Sequence, residues 1–74
     1  MERQRIAKAT LVEILLHETG RVLGRDASFL GQQLEIRRRD DEPNWDANRG
    51  IAGPTVIKAF GIALTRVQAQ HNLD

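Results

Sequence analysis

Cysteine is absent from this chain of 74 residues, and so is tyrosine. Without cysteine, disulfide frameworks and thiolate metal sites are excluded outright. With only Phe29, Trp45 and Phe60 as aromatics, the core must be mostly aliphatic, which suits packed helices. Histidine is scarce too. His17 and His71 are the only side chains that ordinarily titrate near neutral pH, and they lie far apart in sequence. Long apolar runs are missing: Ile14-Leu15-Leu16 is far too short for a membrane span or a signal core, and the start Met1-Glu2-Arg3-Gln4-Arg5 is charged. No membrane segment is expected, and a cytoplasmic location follows by default. One-sided charge is lacking as well. A net charge of +1 supplies no strong field toward nucleic acid or an anionic surface.

What is present is a short chain that is 41% hydrophobic, too apolar for wholesale disorder. It forms one domain at most. A core of this size rarely supplies more than roughly 3–5 kcal/mol. With disulfides excluded, a second subunit is the most available extra source of stability, so a homodimer or larger assembly is expected.

Apolar periodicity outlines three helices. The first covers residues 5–23, with Leu11, Val12, Leu15, Leu16, Thr19, Val22 and Leu23 on one broad face. Gly24 fits the left-handed position that ends many helices. Ile6 and Ile14 fall off the main stripe. The second covers residues 27–39 behind a cap from Asp26 or Ser28. Its tail, Leu34-Glu35-Ile36-Arg37, also alternates as a strand would. A lone strand has no evident neighbour, so helix is expected there, with pairing across a dimer as the alternative. Residues 40–53 have no period and read as a loop around Trp45. The last helix covers residues 54–71. Pro54 opens it, Val56, Ile57, Phe60, Ala63, Leu64 and Val67 form its stripe, and Ile62 and Ala69 point away. Gly61 lies at the edge of that stripe, where a missing side chain lets another backbone approach.

No motif specifies a chemistry. Arg37, Arg38 and Arg39 could contact phosphates, since guanidinium forks match phosphate oxygens. On a helix, though, they point about 100° apart, and Asp40, Asp41 and Glu42 follow at once. The spacing from Leu23-Gly24 to Leu30 resembles a DNA-reading helix-turn-helix, but Gln32, Gln33 and Glu35 would line its recognition helix. Asp46, Asn48 and Gly50 begin like a calcium loop whose twelfth position is Ile57 instead of glutamate. Gly50 to Thr55 precedes a helix start but lacks the lysine of a phosphate loop. Neither histidine has a sequence-local partner for acid–base work, and no cofactor or metal is expected.

The sequence therefore predicts an all-α fold, a small three-helix domain with an ordered loop that holds Trp45, assembled as an oligomer. Its expected role is non-enzymatic: a protein–protein interaction or regulatory module. The contact residues would be Trp45, Ile51, Ile6, Ile14 and Ile62. The alternative is a nucleic-acid-binding regulator that uses Arg37, Arg38 and Arg39, with Arg3, Arg5 and Lys8 in support.

Overall fold

A computed structural model describes residues 3–74. Its order is β1 (Gln4–Ile6), α1 (Lys8–Leu23), a 3-10 turn (Ser28–Leu30), β2 (Glu35–Arg38), β3 (Trp45–Asn48), α2 (Pro54–Gln70) and β4 (His71–Leu73). Half of the described residues are helical and 19% are strand. The all-α three-helix bundle expected from periodicity is thus corrected to an α/β mixture of two helices and four short strands in two small sheets.

The first helix follows its apolar period. Leu11, Leu15 and Thr19 recur every four residues and are buried, and the Thr19 hydroxyl donates to the Leu15 carbonyl at 2.7 Å. The helix continues through Gly20 and stops at Gly24, whose φ of 85° is left-handed. There the Gly20 carbonyl accepts from both Gly24 and Arg25 backbone N–H groups, satisfying the helix end.

Residues 27–39 are not a helix. Asp26 accepts from the Ser28 backbone and hydroxyl and starts only the 3-10 turn, which buries Leu30. The chain then extends as β2, with Ile36 turned into the core. The neighbour that β2 needs lies within the stretch read as a loop: β3 pairs with it antiparallel, placing Ile36 opposite Ala47 and Arg38 opposite Trp45. Arg39 N–H donates to the Asn44 carbonyl at 2.8 Å and closes the hairpin.

The last helix begins at Pro54 but buries a slightly rotated face: Val56, Ala59, Phe60, Ala63 and Val67. Leu64 is half-buried and Ile57 is exposed. It ends at Gln70. His71 is extended, at φ −136° and ψ 145°, and opens β4, which pairs in parallel with β1. The predicted helices, 5–23 and 54–71, overlap these terminal strands at Arg5, Ile6 and His71, and the rest of β1 and β4 carried no strand expectation.

Asparagine side chains tie the two sheets together. Asn44 Nδ2 donates to the Leu73 carbonyl at 2.8 Å, and Asn44 Oδ1 accepts from Leu73 N–H at 2.6 Å. One side-chain amide thus supplies both bonds that a neighbouring strand would give. Asn72 returns the arrangement, with its Oδ1 accepting from Asn44 N–H and its Nδ2 donating to Glu42. Trp45 lies beside this clasp, fully buried, and its indole N–H donates to the His71 carbonyl at 2.9 Å.

Candidate functional site

The residues expected to bind a partner scatter. Trp45 is 0% exposed and joins the core with Leu11, Leu15, Leu30 and Phe60, so it offers no surface. Ile6 and Ile14 are partly buried against that same core. A single copy thus covers most of the apolar stripes for which the sequence suggested a second subunit. Ile51 is 92% exposed, alone in the connection before α2. Ile62, 37% exposed, lies within a larger apolar surface along the helices, which Ile14 also borders.

The three arginines do not converge. Arg37 points to the outer face of the hairpin beside Glu35, at 3.4 Å. Arg38 belongs to the opposite face and donates to the Asp74 carbonyl at 2.8 Å. Arg39 pairs with Asp41 at 3.7 Å. Each cation already has an acceptor within this chain. Asp46 and Asn48 likewise spend carboxylate and amide oxygens on the backbone N–H groups of Ala47 and Gly50. Among the described residues, no three His, Asp or Glu side chains gather closely enough to hold a metal ion. Nor is any helix among them long and apolar enough to cross a membrane.

The outer face of the helix pair is more organised. The helices run antiparallel: Val22 and Leu23 stand beside Thr55, Lys58, Ala59 and Ile62, around a hollow of about 250 Å³, while Ile14 and Glu18 stand beside Val67 and Gln70. A second hollow, of about 460 Å³, lies on α2 between Ile57, Lys58, Gly61, Ile62 and Thr65. The two share Lys58 and Ile62. A third, of about 480 Å³, follows the helix seam and is joined to the second through Arg66. Together they form a shallow groove along the helices, and no strand residue lines it. No family model matches this chain, and neither a curated protein nor a solved structure is detectably similar to it. The groove is therefore read from its own chemistry.

That chemistry has three parts. Ile57 is 40% exposed and Ile62 37%; they lie four residues before and one residue after Gly61 and line the same hollow. A side chain added at Gly61 would meet nothing within 4 Å. Glycine inside a helix costs about 1 kcal/mol relative to alanine, and no contact within this chain requires it. The charged lining comprises Arg21, Lys58 and Arg66 against Glu18 alone, three cations to one anion. Glu18 bonds Arg66 at 3.3 Å and Arg21 at 3.7 Å, so its charge is shared between two cations.

Ile62, Ile14 and the edge position of Gly61 were legible in advance. Lys58 at i−4 from Ile62 was visible in the sequence as a neighbour on the same helix face. Arg21 and Glu18 were not assignable, because their place in the groove depends on how α1 lies against α2.

Proposed function

We propose that this chain is a non-enzymatic protein-binding module that docks a partner along the outer groove of α1 and α2. The observation carrying the reading is the exposed pair Ile57 and Ile62 around an uncovered Gly61, continuous with the Val22–Leu23 end of α1. Partly exposed isoleucines on a helix face are unremarkable singly. Here they line linked hollows, and a helical glycine with no intramolecular neighbour lies between them. An amphipathic helix laid into such a groove is a recurrent recognition mode.

Self-association, expected from the sequence, fits this face less well than a partner of different sequence. A two-fold axis through the groove would set its three cations and one anion against an identical set, +2 facing +2. The nucleic-acid reading gains no specific observation either, because Arg37, Arg38 and Arg39 diverge and each has an acceptor.

A displayed library of random helical peptides, selected on the wild-type chain and counter-selected on Ile62→Glu, tests the reading. Ile62 is exposed enough for the variant to fold, which circular dichroism verifies. Enriched sequences should lose about tenfold or more in affinity for Ile62→Glu. A selection that enriches nothing, or enriches binders indifferent to the substitution, would remove the basis for the proposal.

A further inference from the structure

We infer that the partner segment is an acidic amphipathic helix, with apolar residues along one stripe and carboxylates flanking it. This rests on the reading of the α1–α2 groove as a docking face and specifies what that face takes. The argument is charge complementarity joined to shape. The apolar lining is Val22, Leu23 and Ile62 in the hollow between the helices, and Ile57 and Ile62 in the neighbouring hollow on α2. Lys58 stands in both hollows, and Arg66 and Arg21 continue the cationic border along the seam. The side chains of Arg66 and Arg21 are 60% and 69% exposed, so both retain donors facing solvent beside the one carboxylate they share. Carboxylates on an incoming helix would meet those donors while its stripe covers the isoleucines. Like charges in the same positions would be rejected, which is how a charged border selects among helices of equal hydrophobicity.

Gly61 adds the geometric half. An open glycine between two isoleucines lets a second helix backbone approach α2 closely. A helix can follow the two hollows along the α1–α2 seam better than a flat lipid surface does, and three cations offset by Glu18 are few for holding an anionic bilayer.

The experiment uses the full chain and three synthetic helical peptides as long as α2. All carry the same leucine stripe, flanked by glutamate, glutamine or lysine. Binding is read by fluorescence anisotropy at low and high salt, alongside sedimentation with phosphatidylserine–phosphatidylcholine vesicles. The glutamate peptide should bind at least about tenfold tighter than the lysine peptide, and added salt should narrow that gap. Lys58→Glu should weaken the glutamate peptide by about fivefold or more. Glu18→Gln should strengthen it severalfold, because it removes the only acid in the border. Gly61→Ala should raise the melting temperature by about 4–8 °C through helix propensity while weakening the peptide about tenfold. A merely structural glycine would give the first effect without the second.

If the glutamine or lysine peptide binds as well as the glutamate peptide, and Ile62→Glu abolishes it, the docking face stands and the acidic partner is refuted. If none of the peptides binds, both ideas fall. Vesicle binding stronger than peptide binding, or Gly61→Ala leaving affinity unchanged, also overturns the inference.

Discussion

At the scale of single residues, Asn44 has the most to lose by substitution. Its amide gives Leu73 one donor and one acceptor, at 2.8 Å and 2.6 Å, where no strand is available to provide them. Buried backbone groups left without partners cost roughly 1–3 kcal/mol each. Asn44→Ala should therefore destabilise the chain by about 2–3 kcal/mol in urea unfolding. Asn44→Asp should do no better at neutral pH, because a carboxylate can accept from Leu73 N–H but faces the Leu73 carbonyl with no proton to donate. A cost below about 0.5 kcal/mol for Asn44→Ala would show that water replaces the amide freely. Asp26 offers a test by pH. The Ser28 hydroxyl and then the Ser28 and Ala27 backbone N–H groups hold its carboxyl below the ordinary value, outweighing slight desolvation. A carboxylate whose pKa is lower folded than unfolded stabilises the fold above the unfolded value, and that contribution fades as pH falls through the folded one. In a proton-detected titration, Ser28→Ala should move the Asp26 midpoint upward. An unmoved midpoint would mean the hydroxyl bond does not persist in solution.

At the scale of elements, the hairpin shows both what the residues revealed and what they concealed. Helix α1 and the body of α2 were legible because their buried positions recur with the helical period and because Gly24 and Pro54 mark ends. The alternation at Leu34-Glu35-Ile36-Arg37 was legible as well, but without its neighbour it lost to a helical reading. That neighbour, Trp45-Asp46-Ala47-Asn48, has no β-branched residue and carries two residue types common in turns. Its extended form comes from tertiary ties instead: the Trp45 indole on the His71 carbonyl, and Gln68 donating to the Trp45 carbonyl at 2.8 Å. β1 and β4 have three residues each, too few to show a period beside longer helices. The groove was hidden for a related reason, since half of its border comes from α1. The hairpin register makes its own prediction. Arg37 lies directly opposite Asp46 and 3.4 Å from Glu35. Arg37→Glu would gather three carboxylates on one face and should cost on the order of 0.5–1 kcal/mol, an effect that molar salt reduces. Arg37→Gln should be nearly neutral. Equal stability of the two variants at low salt would contradict this register.

At the scale of the whole molecule, the balance lies between a core that closes on itself and a groove that stays open. Trp45, Leu11, Leu15 and Leu30 are fully enclosed within one copy, and Glu18 bridges the helices through Arg66. Of the large apolar side chains left exposed among the described residues, Ile57 and Ile62 stand among the cations of the groove, whereas Phe29 and Ile51 lie outside it. That combination makes association depend on salt in a particular direction. At low ionic strength, two grooves meet with their positive borders unscreened, so the isolated chain should sediment as a monomer at micromolar concentration, and its melting temperature should not change with concentration. As salt rises to about 1 M, the Debye length shrinks to about 3 Å and the repulsion fades while the apolar attraction remains. A dimer should then begin to form, and Ile62→Glu should suppress it. Surface ion pairs would weaken under the same conditions, so a dimer held by charge would show the opposite trend. A dimer present at low salt and indifferent to Ile62→Glu would place the association surface elsewhere, and the groove would then lose its claim to be a docking face.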